Sequence, residues 1–341
     1  MNDLIFFYPE GHEAHAKPGH PERPERVEVI LNALRDTGLW DKYPHTEPTT
    51  IPEEVLKSIH TPEYLETLKS SCESGLYLDA DTYTTNRSWE LSLAAVGGAI
   101  AVVRQVWLRD AERGFALTRP PGHHATRTRG MGFCLINNIA VAAEYLLQKE
   151  GAQRLAIVDI DLHHGNGTQE IFWRRGEVIY FSTHQYPHYP GTGNLQETGE
   201  GEGENTTVNI PMPIYSGDQA FASAMDTIIQ PLLDRFQPEM ILVSIGFDVH
   251  WCDPLGMLLV SATGYGNTIA SLARWADNNC HGRIALFLEG GYDLDAGACC
   301  ALASTNALLG NSWKDPLGIS PTPESNLWEE IIQKAKELWN L

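Results

Sequence analysis

Apolar, β-rich runs recur along this chain at 4–8, 115–118, 155–160, 178–182, 240–245 and 284–288. They are short and continuously apolar, the pattern of parallel strands buried on both faces. Between them the stretches 89–108, 138–149, 218–236 and 263–277 have helical length and spacing. Strands alternating with helices predict an α/β fold, a central, mostly parallel sheet with helices on both faces. Residues 191–205, where Gly alternates with Glu and Asn, read as a surface loop, and 316–323 leads into an amphipathic helix near 327–338. No stretch has the composition of a linker. The expectation is one domain over 1–341, with its core at about 3–312 and a C-terminal helix within about 325–340.

Composition narrows the class. With 43% hydrophobic and 20% charged residues and no repeat, the chain reads as a soluble globular protein. The apolar run at 4–8 is too short to span a membrane and has no basic segment before it, so it reads as the first strand. The six cysteines (72, 134, 252, 280, 299 and 300) form no CxxC pair, which argues against a disulfide framework or cysteine zinc knuckle and suggests a cytoplasmic setting. A formal charge of −20 disfavours direct nucleic-acid binding and suits cationic partners, although acidity can also serve solubility alone.

The unusual polar residues fall just beyond the carboxyl ends of the predicted strands. There stand Arg119-Pro120-Pro121-Gly122-His123-His124, Asp161-Leu162-His163-His164-Gly165-Asn166, Thr183-His184, Gly246-Phe247-Asp248 and Glu289-Gly290-Gly291-Tyr292. In an open α/β sheet ligands bind in the crevice beyond those ends, so five such endings point to one site.

Asp159, Asp161 and His163 are spaced by two, so on an extended strand end they share a face. Two carboxylates and an imidazole are acceptable zinc ligands, and a three-ligand set leaves a position open, as a catalytic zinc requires. Asp248 offers a carboxylate from another strand end. In isolation such a motif would equally be a helix cap beside a core histidine; the other strand ends change the odds. His123-His124, held in a Pro-Pro-Gly turn, offers acid–base groups, and Tyr292 after Gly-Gly offers a phenol to an oxyanion. There is no nucleophile elbow and no phosphate loop.

Together, His20-Pro21-Glu22-Arg23-Pro24-Glu25-Arg26, residues 119–138 and 158–172, and Glu289-Gly290-Gly291-Tyr292 resemble the histone deacetylase family. That family includes bacterial histone deacetylase-like amidohydrolases and acetylpolyamine amidohydrolases on the arginase-deacetylase fold, and the resemblance covers nearly the whole chain. It implies one zinc, with ferrous iron the alternative, on Asp161, His163 and Asp248. It places Asp159 behind His123, makes His124 the general base and then acid, and gives Tyr292 the oxyanion. It puts Gly132, Phe133, Tyr189, Leu255 and His20 along a narrow substrate channel, and a structural potassium ion on the backbone of Asp159, Asp161 and His163 with Ser182 and Thr183. Arg26 matches an internal-channel arginine. Asn166 and Leu255 stand where class I members have aspartate and methionine, and both look class II-like.

The implied reaction is hydrolysis of an N-acyl amide, of acylated lysine in peptides or proteins first and of acylated polyamines or other small amines as the alternative. Leu255 stands where polyamine-specific members carry glutamate, while Asp79, Asp81 and Glu200 are candidate attractors of a cation. An arginase-like binuclear manganese hydrolase would need further bridging carboxylates, and a non-catalytic binding protein would have lost a ligand, the base or the tyrosine. The segment His12-Glu13-Ala14-His15 is one residue short of HExxH; with His20 it is expected in a loop bordering the channel. His250 and Trp251 read as wall or loop residues and Cys299-Cys300 as helix packing. Oligomeric state is not legible.

Overall fold

The computed structural model describes residues 2–341, built around one sheet of seven parallel strands. In chain order these are β1 (Asn2–Phe7), β2 (Ala111–Ala116), β3 (Leu155–Asp159), β4 (Val178–Gln185), β5 (Thr207–Met212), β6 (Met240–Ile245) and β7 (Ile284–Leu288). They lie in the order β1-β2-β7-β6-β3-β4-β5. Side chains alternate between two buried layers: Leu4, Phe6, Val158 and Phe181 enter one, Ile5, Phe7, Ile157 and Tyr180 the other. Burial on both faces is why these strands are apolar throughout rather than alternating. Helices Ser88–Trp107 and Asn138–Lys149 cover the second layer, and Glu25–Asp36, Ala262–Asn279, Leu294–Leu308 and Trp328–Trp339 cover the first. Ser88–Trp107 is long and apolar enough to cross a bilayer, but two-thirds of its apolar window is buried against the sheet.

Two differences from the sequence reading have local causes. Strand β5 was not predicted because Asn209 and Pro211 interrupt its apolar pattern; it lies at the sheet edge, where a missing N–H is tolerated. Strand β2 begins earlier than expected, at Ala111, because Arg113 is paid for within the fold by hydrogen bonds to Leu308 O (2.9 Å), Gly282 O (2.7 Å) and Asp277 Oδ1 (2.7 Å). The expected helix over 218–236 is present, with a wider turn at Met225–Ile229. Register then positions the site. Asp159 lies beside both Ser182 and Ser244, and Ile245 beside Leu288, so β3, β6 and β7 end level, with β2 next in the sheet. These four adjacent strands deliver four of the five polar segments to one end of the sheet; the fifth, Thr183-His184, lies not beyond β4 but within it, because that strand runs on to Gln185.

Candidate active site

Beyond β3 the extended backbone stops at Asp159, yet the turn that follows still brings Asp161 and His163 to Asp248 beyond β6. One ligand-capable atom from each of the three lies within 4.8 Å of the others. His163 Nδ1 is 3.2 Å from Asp161 Oδ1 and 3.3 Å from Asp248 Oδ2. Backbone N–H groups satisfy the remaining oxygens: Gly290 donates to Asp161 Oδ2 (2.8 Å) and Leu162 to Asp248 Oδ1 (3.0 Å). Asp248 Oδ2 is buried and makes no hydrogen bond among the described residues, its approach to His163 being off-line for one. Burial opposes charge on Asp161, but His123 and His163 hold its pKa well down; burial and then the charge of Asp161 push that of Asp248 up. Burial likewise disfavours His163⁺, yet the facing carboxylates of Asp161 and Asp248 raise it to about 9. Two repelling carboxylates, one orphaned oxygen and an imidazole suit a divalent cation. The approach is close: a Cβ on Gly246 would sit 2.0 Å from Asp161 Oδ2, and one on Gly290 would sit 2.1 Å from Asp248 Oδ2.

His123 and His124 stand side by side, ring centroids 4.0 Å apart, in opposite electrostatic settings. His123 Nδ1 bonds Asp159 Oδ2 (3.1 Å); burial would lower its pKa, but Asp161 and Asp159 raise it to about 10. His124 is pushed well below its ordinary value by burial and by His123 and His163. Its Nδ1 bonds Asn166 Oδ1 at 2.8 Å, so Nδ1 carries the proton and Nε2 keeps a free lone pair. The turn itself is held by Glu289, whose carboxylate accepts from Gly122 N (2.7 Å), His123 N (3.1 Å) and Ser244 Oγ (2.9 Å). Burial raises Glu289 to about 7. Glu289, Cys134 and His123 also cluster tightly enough for a metal, but Glu289 and His123 are spent on these bonds.

A cavity of about 420 Å³ leads to this floor, and His20, Gly132, Phe133, Tyr189, Leu255 and Tyr292 all line it, with His124 and His163 at its base. Asp81, a candidate attractor of a cation, is there too, and His188 joins them unanticipated; it stacks on His163 (5.2 Å, 20°) and bonds Leu255 O (3.0 Å). Phe133 adopts a left-handed φ of 68°, costly for a bulky residue, and its N–H is fixed by Thr82 Oγ1 at 3.0 Å. Tyr292 is set by its N–H to Asp253 Oδ2 (2.6 Å) and by the Arg26 guanidinium over its ring (4.8 Å). Arg26 in turn bonds the carbonyls of Gly291 and Glu289. Asp253 belongs to none of the motifs in the sequence, so no local pattern singles it out.

Two expectations are corrected. His12 and His15 do not border the channel: both are buried, because Arg119 must draw in the carbonyls of His12 (2.6 Å) and His15 (2.5 Å), while their rings bond Tyr8 (2.8 Å) and Ser88 (2.6 Å). Glu200 lies outside the channel lining and pairs with Arg174 at 2.8 Å. His20 is at the channel as expected, and Cys299 and Cys300 lie within the helix Leu294–Leu308. Ser182 and Thr183 are buried on β4, with Ser182 beside Asp159.

The Histone deacetylase domain matches residues 20–308. A "Probable deacetylase" of Archaeoglobus fulgidus is 40% identical over 304 residues, covering 89% of this chain and 83% of the relative. "Histone deacetylase 14, chloroplastic" of Arabidopsis thaliana is 36% identical, with 95% of this chain and 80% of that protein covered. A crystal structure of the HDA15 HD domain superposes with a TM-score of 0.90 at 32% identity, covering 99% of this chain and 95% of that one. The chain therefore belongs to the histone deacetylase family, a family of hydrolases, and has its arginase-deacetylase fold.

Proposed function

We propose that this protein is a zinc-dependent deacylase that hydrolyses the N-acyl amide of a lysine side chain in a peptide or protein. The observation that carries the reading is the convergence of Asp161, His163 and Asp248 with His124 and Tyr292 at the floor of one narrow aromatic channel. Phe133 and Tyr189 flank the substrate's aliphatic stem and exclude water from it. Zinc on Asp161, His163 and Asp248 supplies Lewis-acid polarisation and an activated water; ferrous iron fits the same donors. His124, neutral and oriented by Asn166, takes a proton at Nε2 and returns it to the leaving amine. His123 is oriented by its bond to Asp159, and burial keeps the neighbouring His124 ready to give that proton up. Burial raises the Tyr292 phenol well above its usual pKa, so it stays a donor for the oxyanion. Asp159 is occupied by His123, Tyr180 (3.1 Å) and the Asp161 N–H (3.2 Å), so it is not free to bridge a second metal. The potassium reading is part of the proposal: the carbonyls of Asp161 and His163 accept no backbone N–H among the described residues, next to buried Ser182 and Thr183.

The test is hydrolysis of an acetyl-lysine peptide, longer-acyl lysine peptides, acetylspermidine and acetylputrescine by zinc-loaded protein, with a hydroxamate control. Preference for a lysine peptide, abolished by the hydroxamate, is expected. Preference for the polyamines, which Asp81 at the channel would favour, keeps the chemistry and overturns the substrate. Turnover of none overturns the reading.

A further inference from the structure

The chain carries 24 Lys and Arg against 44 Asp and Glu, yet a groove of about 680 Å³ gathers Arg127, Arg129, Arg174 and Arg175 around Trp173. Its acidic members are Glu170 and Glu197. Glu197 is consumed by the N–H groups of Gly193 (3.2 Å) and Asn194 (3.0 Å) and the Gln169 amide (2.6 Å), and Glu170 accepts the Arg127 backbone N–H at 3.1 Å. The arginines are not equally engaged. Arg175 reaches Glu144 (3.0 Å) and Glu177 (2.7 Å). Arg174 meets Glu200 at 2.8 Å with both side chains largely exposed, a pair of little net strength that another carboxylate can replace. Arg127 has no carboxylate on its guanidinium, which donates to Ser58 O (2.6 Å), and exposed Arg129 makes no side-chain bond among the described residues.

The groove adjoins the channel. Asn166, whose Oδ1 holds His124, forms part of its wall, as does Thr192, three residues beyond the channel residue Tyr189. Burial raises the pKa of the Tyr189 phenol, the charges of Asp79 and Asp81 add to this, and that of Arg129 opposes it. A polymer whose acyl-lysine enters the channel therefore has a route from the rim into a lining of unspent guanidinium charge. A polyamine, carrying only positive charge, gains nothing there, and polyanionic nucleic acid is opposed by the charge of −20 on the rest of the molecule.

We propose that this groove receives an acidic stretch of the polypeptide that carries the acylated lysine, Arg129 and Arg127 meeting its carboxylates first and Arg174 exchanging Glu200 for another. The proposal deepens the lysine-deacylase reading and rests on it. The test compares acetyl-lysine peptides bearing Glu or isosteric Gln about two to six residues from the lysine, a reach of roughly 7–20 Å in extended chain. Each rate is divided by that of an end-capped acetyl-lysine in the same protein. The Glu peptide should win by about three- to ten-fold in kcat/KM, through KM, with the advantage shrinking as salt rises. Arg129→Glu and Arg174→Glu should abolish or reverse it. Equal rates for Glu and Gln peptides, or an advantage that survives both substitutions, overturn the proposal while leaving the deacylase reading intact. Failure to cleave even the capped acetyl-lysine overturns that reading instead; a labelled Glu-rich peptide without lysine, followed by anisotropy, then still reads the groove. Binding lost in Arg129→Glu supports it, and tighter binding of an oligonucleotide of equal charge overturns it.

Discussion

Glu22→Gln should destabilise the fold by about 3–5 kcal/mol and slow turnover through Tyr292. Glu22 is fully buried and is the countercharge of two buried guanidiniums: Arg119 at 2.7 and 3.0 Å, and Arg26 at 3.0 Å. Burial raises its pKa, but Arg119 and Arg26 outweigh that and bring it from its ordinary 4.5 to about 2. A carboxyl lowered that far contributes about 3 kcal/mol at neutral pH, present above pH 4.5 and lost as pH falls toward 2. Removing one member of a buried charge group costs about 3–5 kcal/mol by the independent route of stranding its partners. The two agree. Arg26 also holds the carbonyls of Gly291 and Glu289 beneath Tyr292, so freeing it should loosen the phenol. Urea unfolding at pH 7 reads the loss, and the gap to wild type should narrow as pH falls below 4.5. A variant within 1 kcal/mol of wild type, with full turnover, would refute the reasoning.

His60 donates from Nδ1 to Thr126 O (2.8 Å) and accepts the Asn137 N–H at Nε2 (3.0 Å), and burial lowers its pKa to about 4. Its folded pKa is depressed, so its neutral form's contribution is intact above about pH 6.5 and drains by about 1.4 kcal/mol per pH unit down to 4; His60→Asn should flatten the measured stability–pH slope by that amount. Tyr292→Phe should cut turnover by about 10²–10³ with metal content unchanged, measured by elemental analysis beside steady-state rates. Gly290→Ala should weaken metal binding, read by competitive titration against a chromophoric chelator, since its Cβ would press within 2.1 Å of Asp248 Oδ2.

Much of the architecture was legible because burial on both sheet faces leaves a direct trace: the runs at β3, β6 and β7 stand within one residue of their observed bounds. The helix Glu25–Asp36 carries a helical stripe at Val27, Ile30, Leu31 and Leu34, but the prolines and charges around it mask its start, and β5 is hidden by Asn209 and Pro211. Within the site, strand-end chemistry and the family resemblance together identified the residues that converge. What they left out were supports joined over long separations. Glu22 meets Arg119 across 97 residues and Glu289 meets Gly122 across 167, and no local pattern encodes such pairings. The same blindness misplaced His12 and His15, whose direction is set by Arg119 rather than by their own spacing.

The central claim is that Asp161, His163 and Asp248 form one metal site that drives deacylation beside His124. Its most direct test is acetate release from an acetyl-lysine peptide as chelator-stripped protein is titrated with Zn²⁺, alongside Asp248→Ala. The account predicts a linear rise that breaks at one equivalent, and no rise in the variant. A break at two equivalents, or full turnover by the stripped protein, would contradict it.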